Sequence, residues 1–243
     1  MKILRILIYL LVIVNFILIG FLISEYKSFE SYSIEKANLS RVIDGDTIET
    51  DLGKVRFLGI NTPEKNMGGF EEAKNYLEQF IGKKVELLRE TEDKDIYGRL
   101  LRYVFYNDKL INEDILKRGL AHYYSYSEDD FTNRLKKAEE TARKNQIGIW
   151  EKSKDKCSEC IVLKELNEID PGEYLILENI CGFNCDLNLW TIKDDATHTK
   201  KLDFEINAKQ EKKIDYEGRI WNDDGDSLYL RDENGLLVLF WRY

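Results

Sequence analysis

The chain has 243 residues, 43% of them hydrophobic and 33% charged, and a formal net charge of −9 at pH 7. This is a globular composition, long enough for two modest domains. Its two histidines, His122 and His198, lie far apart and match no metal-binding spacing, which all but excludes Ser-His-Asp chemistry and H-E-x-x-H zinc sites. Catalysis would have to rest on carboxylates, arginines, lysines or cysteines.

The charge is uneven. Residues 1–33 carry 3 Lys and Arg against 2 Asp and Glu; residues 34–156 carry 23 against 24; residues 157–243 carry 10 against 19. An acidic tail does not attract phosphate by bulk charge, so any nucleic-acid binding by the balanced middle needs a local basic pocket. The middle segment should also show a shallow salt dependence.

In chain order, Lys2 and Arg5 precede an apolar run from Ile6 to Ile23. As a helix, Ile3 to Ile23 would span roughly 31 Å at about 1.5 Å per residue, matching a hydrocarbon core of about 30 Å. The run lacks a small-x-small cleavage pattern, so it reads as an uncleaved transmembrane anchor over 1–24, with a cleaved signal as the alternative. The flanking positive charge predicts a cytoplasmic N-terminus and an extracellular body, with 25–33 as a polar stalk.

Residues 34–156 alternate strand-like and helix-like stretches. Ala37 to Thr50 and Lys54 to Ile60 read as strands around a turn at Asp51-Leu52-Gly53. Phe70, Ala73, Leu77, Phe80 and Ile81 keep a helical period that Gly82 stops. Val85 to Leu88 and Leu100 to Tyr106 read as strands, and Asn107-Asp108 as a turn. Ile111, Ile115 and Leu116 line a short helix ended by Gly119, and Leu135, Ala138 and Ala142 line a longer one running to Asn145. A small barrel carrying about three helices is expected. Residues 157–243 differ: seven short alternating stretches, from Ile161–Leu166 to Leu236–Trp241, are separated by turn clusters. They include Leu187–Ile192 and Lys201–Phe204, and they predict a β-sandwich. The fold class is therefore mainly β with α.

Three segments carry chemistry. Asp44-Gly45-Asp46 sets two carboxylates at a turn between strand residues. Arg56 to Glu64 sets a cation on a strand and oxygen donors just past its end. Tyr97-Gly98-Arg99 sets a second arginine at a glycine turn. Each has a bland reading: a plain turn, a surface ion pair, or a helix start with Thr62 as cap and Pro63 at the first position. Together they supply what phosphodiester hydrolysis requires. A hard cation takes oxygen donors, a carboxylate sits near the attacking water, and guanidinium forks match phosphate oxygens.

At these residues the sequence resembles the staphylococcal nuclease family. The matches are Asp44-Gly45-Asp46-Thr47, Arg56 to Glu64, Tyr97-Gly98-Arg99, Ile111-Asn112 and Arg118-Gly119-Leu120-Ala121. Ala138 to Asn145 with Gly148-Ile149-Trp150 resembles the family's last helix and closing tryptophan. The resemblance implies an OB-fold barrel over 34–156 and Ca²⁺-dependent cleavage of DNA and RNA that leaves 3′-phosphates. It further implies Arg56, Arg99 and Glu64 as catalytic residues and Asp46, Asn61 and Thr62 as metal donors. Tyr97, Tyr124 and Tyr126 would lie along the nucleotide. The family's second calcium-binding carboxylate falls at Asn61, which removes a negative charge and should weaken calcium binding; Asp44 could compensate through a water. The other reading is a non-catalytic nucleic-acid-binding or adhesion protein with a degenerate barrel.

Residues 157–243 resemble the lamin-tail domain, an immunoglobulin-like sandwich, at Glu173 to Asn179, Asp186 to Ile192 and Trp221 to Leu230. That implies an attachment module of unknown ligand, or a domain that only spaces or stabilises the barrel. Cys157, Cys160, Cys181 and Cys185 are expected close in space, as two disulfides or a Cys₄ zinc site.

Overall fold

The computed structural model describes residues 13–15, 20, 33–90, 92–125, 128–169, 172–196, 198–222 and 225–243. The expectation of a membrane anchor is corrected. Among the described residues no helix is long and apolar enough to cross a membrane. A span needs about 20 apolar residues in one helix, and only 13–15 and 20 of the expected anchor are described, as helix. The rest of that segment and the stalk over 25–32 lie outside the described residues. The single-pass topology and the extracellular localisation fall with it.

Strand β1 (Ser33–Val42) turns Ala37 and Leu39 inward, and a bulge between Leu39 and Arg41 lets Val42 face in as well. It continues into β2 (Thr47–Thr50), β3 (Gly53–Phe57) and the short β4 (Ile60–Asn61). The strand expected over Lys54 to Ile60 breaks at Gly59, whose φ of 72° and packing against Leu135 leave no room for a Cβ. Helix α1 (Phe70–Glu78) buries Ala73 and Leu77. Strands β5 (Lys84–Arg89) and β6 (Leu100–Tyr106) follow. Asn107 and Asp108, both at positive φ, then turn the chain into β7 (Lys109–Leu110). Helix α2 (Ile111–Lys117), β8 (His122–Tyr123), helix α3 (Thr132–Lys144) and a 3-10 turn over Gly148–Trp150 complete this half.

Antiparallel pairs join β3 to β2, β2 to β1, β1 to β5 and β5 to β6, and a parallel pairing of β3 with β6 closes the ring. This is a five-stranded OB-like barrel. Its core unites Leu39, Ile48, Val55, Phe57, Leu87 and Val104 with Leu77, Ile115 and Leu135 of the helices. Buried Asn112 ties α2 to the barrel, accepting from the Val104 amide at 2.9 Å and donating to the Leu58 carbonyl at 2.8 Å.

The C-terminal half is β-rich: β9 (Ile161–Asn167), β10 (Tyr174–Asn179), β11 (Cys185–Asp186), β12 (Thr191–Lys193), β13 (Thr199–Lys201), β14 (Glu205–Ile206), β15 (Glu211–Asp215), β16 (Ser227–Arg231) and β17 (Leu237–Arg242). A sheet of order β15-β10-β9 and one of order β13-β12-β16-β17 share a core of Leu175, Leu177, Ile192, Leu228 and Leu230 around Trp190 and Trp221. The strand expected over Leu187–Ile192 is interrupted, because Leu189 adopts a left-handed φ of 66°. The cysteines pair as disulfides Cys157–Cys185 and Cys160–Cys181, joining the segment just before β9 to the start of β11 and to the connection between β10 and β11.

A third apolar cluster joins the two halves. Ala142, Ile149 and Trp150 pack on Tyr229, Leu237 and Phe240, and His122 lies 4.1 Å from the Tyr229 ring. Arg242 reaches Glu139 of α3 at 2.7 Å, and the Arg231 guanidinium donates to the Ile149 carbonyl at 2.7 Å.

Candidate functional site

The turn between β1 and β2 is closed by the Ile43 and Asp44 amides, both donating to the Thr47 carbonyl. Gly45 is needed there for space rather than for φ. A Cβ would come within 2.6 Å of the Ala73 Cβ and 2.9 Å of the Thr62 Cβ. This tight approach sets the Asp44-Gly45-Asp46 turn against α1 and against the segment that leaves β4.

Asp46 is buried, and its carboxylate is surrounded. One oxygen accepts from the Thr62 amide at 2.9 Å and the Thr62 hydroxyl at 3.0 Å. The other accepts from the Thr47 hydroxyl at 3.1 Å and lies 3.2 Å from the Arg56 Nε. Asp44 takes the Asp46 amide at 3.1 Å. Burial and then the neighbouring Asp46 charge push Asp44 up to a pKa of about 6.

Arg56 lies on β3, opposite Thr47 of β2 and Leu101 of β6. Its Nη1 donates to the Phe57 and Ile60 carbonyls, and its Nη2 donates to the Asn61 Oδ1 at 3.3 Å. Three of the five guanidinium hydrogens are engaged in these hydrogen bonds, Nε faces Asp46 as an ion pair, and the second Nη2 hydrogen has no acceptor among the described residues. Asn61, on β4 opposite His122, uses its amide nitrogen differently: it donates to the main-chain carbonyl of Asp195, 134 residues away, at 3.1 Å.

Asp46, Arg56, Asn61 and Thr62 are thus one cluster, Thr62–Asp46 and Arg56–Asn61 joined by hydrogen bonds and Arg56–Asp46 by an ion pair. Glu64 lies just beyond it, exposed and with no side-chain hydrogen bond among the described residues; Pro63 lies in a loop, since α1 begins only at Phe70. Arg99 is not joined to the cluster by any described contact. It pairs with Asp95 at 2.6 Å and sits just before β6, two residues from Leu101, the strand partner of Arg56. Tyr97 is exposed, with the Arg99 guanidinium 5.5 Å from its ring. Tyr124 is half-buried, its amide donating to the Gly59 carbonyl at 3.3 Å; Tyr126 lies outside the described residues.

The donor set offered to a cation is the Asp44 and Asp46 carboxylates, Asn61 Oδ1 and the Thr62 carbonyl. Among the described residues no group of three or more His, Cys, Asp and Glu side chains is placed to hold a metal. Any cation here would therefore lean on amide and main-chain oxygens. The donor chemistry fits a hard cation, since every donor is oxygen; burial and then the neighbouring Asp46 charge hold Asp44 above the usual carboxylate range.

The chain matches the staphylococcal nuclease homologue family over residues 54–152. It is 34% identical over 135 residues to a thermonuclease of Staphylococcus intermedius, covering 51% of this chain and 77% of that one. Against a Staphylococcus hyicus thermonuclease it is 33% identical over 144 residues, covering 52% and 85%. The chain belongs to the staphylococcal nuclease homologue family. It is a phosphodiester-hydrolysing nuclease, in keeping with a further relative, the endonuclease YncB of Bacillus subtilis (strain 168), 35% identical over 129 residues and covering 47% of this chain and 61% of that protein. The family match ends at residue 152, so the β-rich half of this nuclease lies beyond it.

Sequence reasoning missed the residues that this β-rich half brings to the Asn61 cluster. The Asp195 carbonyl holds Asn61, and Lys193 lies within electrostatic reach of Glu64. Lys193 ends β12 and Asp195 lies just beyond it, in a stretch with no motif and no periodicity that points to a site over a hundred residues upstream.

Proposed function

We propose that this nuclease hydrolyses DNA and RNA with Ca²⁺ as cofactor, leaving 3′-phosphates. The observation that carries the reading is the cluster of Asp46, Arg56, Asn61 and Thr62 beside the exposed Glu64. Asp46, Asn61 and Thr62 would hold the ion, with Asp44 alongside. Bound there, Ca²⁺ would neutralise phosphate charge and orient water. Glu64 is the general base, free to accept a proton because no described partner occupies its carboxylate. The remaining Nη2 hydrogen of Arg56 and the exposed edge of Arg99 are the phosphate donors. Tyr97 and Tyr124, with Tyr126, are the surfaces on which bases rest.

Residues 157–243 are read as a lamin-tail-like attachment domain of unknown ligand. The support is its two sheets around a shared core and the buried Trp190 and Trp221.

Digestion of single-stranded DNA and RNA by the full chain, with Ca²⁺ titrated from micromolar to millimolar and with EDTA controls, tests the proposal. Cleavage should require calcium and be lost in Glu64→Ala and Arg99→Ala. Binding of DNA without cleavage would instead leave a nucleic-acid-binding protein.

A further inference from the structure

We propose that the β-rich C-terminal half completes the catalytic site: the main-chain carbonyl of Asp195 positions Asn61, and Asn61 positions Arg56. The catalytic consequence rests on the function proposed above; the positioning itself does not.

Position 61 makes two opposite demands. Its side chain donates to the Asp195 carbonyl at 3.1 Å and accepts from Arg56 Nη2 at 3.3 Å. An amide supplies both a donor and an acceptor, whereas an ionised carboxylate supplies acceptors only and would set an oxygen against the carbonyl. Asparagine at this position is therefore what a site shared with a second domain needs.

The Asp195 carbonyl is itself held. The Asp195 amide donates to Asp226 at 3.0 Å, and its carboxylate accepts from the Tyr229 hydroxyl at 2.6 Å, with Arg242 at 3.9 Å. Tyr229 is fully buried in the cluster that joins the halves, against His122, the strand partner of Asn61. Asn61 is thus gripped from both sides, through its backbone by β8 and through its side chain by residue 195.

On Arg56, both Nη1 contacts fix one edge of the guanidinium and Asn61 fixes the other, the edge that carries the remaining hydrogen. The same segment delivers a cation. Lys193 Nζ donates to the Asp194 carbonyl at 2.9 Å and to the Ala196 carbonyl. Asp195 acts through Asn61 and Arg56, so it is a positioning residue.

Two measurements on the full chain test this. The first needs no activity. In Asn61→Asp, amide hydrogen exchange over residues 193–196 should speed up by about tenfold or more, because the clamp is lost and the segment opens locally; unchanged exchange overturns the proposal. The second uses Tyr229→Phe, which frees the Asp195 carboxylate at little cost in volume. With folding checked by circular dichroism, kcat should fall by about threefold to tenfold at unchanged KM, as expected when a catalytic group is misplaced. Lys164→Ala, on the exposed edge of the far sheet, should change neither measurement. An unchanged kcat in a folded Tyr229→Phe whose 193–196 exchange has risen also overturns the proposal. If the parent chain does not cleave nucleic acid, the proposed function fails, and the exchange measurement still decides whether the Asn61 clamp exists.

Discussion

At the scale of single residues, the site is a problem of like charges. Asp44 and Asp46 flank one glycine, and the turn buries Asp46 and half-buries Asp44. Asp46 meets three donors and the Arg56 charge, while Asp44 is left to titrate near pH 6 instead of 3.8. Between those values the folded state keeps the proton and the unfolded state has lost it. Stability contributed by Asp44 therefore falls as pH rises from about 4 to about 6, by roughly 2 kcal/mol after allowing for its partial exposure. Buried His122 acts in the opposite sense. It is held neutral, with its pKa well below 6.5, so the unfolded state takes up its proton first and stability falls as pH drops below about 6.5. Thermal melts from pH 4 to 7 should show Asp44→Asn more stable than the parent at pH 7, with the advantage vanishing towards pH 4. The difference between the two proteins removes the His122 contribution. Equal melting temperatures at pH 7 would contradict the account.

At the scale of elements, the site exists because one turn, one strand end and one helix approach closely. Gly45 is the point of contact between Ala73 of α1 and Thr62 beyond β4. Neither neighbour is the end of a flexible side chain, so a methyl group must push the elements apart. Gly45→Ala should cost about 1–3 kcal/mol in denaturant unfolding and should also displace Thr62 from Asp46, lowering kcat. A variant of full stability and activity would show that the turn has slack. Most of this geometry was legible in the sequence, because Asp44 to Glu64 lie within one hairpin and its exit. What escaped notice was the break at Gly59 that makes β4 a separate strand. Gly59 looks like a strand interruption only once Leu135 of α3 is seen against it.

At the scale of the whole molecule, the two halves are joined by a charged and aromatic interface rather than a bare linker. Glu139, buried on α3, receives both Arg242 and the Tyr123 amide. Removing it takes the main carboxylate partner from a part-exposed Arg242, which keeps Asp195 at 3.9 Å, and leaves the Tyr123 amide without its acceptor, so Glu139→Ala should destabilise by about 1–3 kcal/mol. The parent should unfold in a single calorimetric transition, and the variant should separate into two as the interface fails; two transitions in the parent would contradict this coupling. The charge distribution makes a further prediction. The barrel segment is balanced and the C-terminal half is acidic. Binding to single-stranded DNA by Glu64→Ala should therefore weaken with a log–log salt slope corresponding to only about two or three phosphate contacts, and a much steeper slope would contradict it.

Local chemistry determined what could be read in advance. The barrel strands and the three helices follow from hydrophobic period and turn residues, and Asp46, Arg56 and Asn61 lie close in sequence, whereas Thr62 entered the site only through the family resemblance. The cysteine spacing implied a cross-linked pair of pairs but left its connectivity open, because loop closure depends on which ends the sheets bring together. Tertiary structure alone decided the rest. It set Asp195 on Asn61 and Arg242 on Glu139, contacts spanning 134 and 103 residues, between segments whose own patterns signal only ordinary strands and turns. A hydrogen bond leaves no periodic trace in sequence when its partners come from two separate cores, so the contact that the C-terminal half makes with Asn61 appears only where the two surfaces meet.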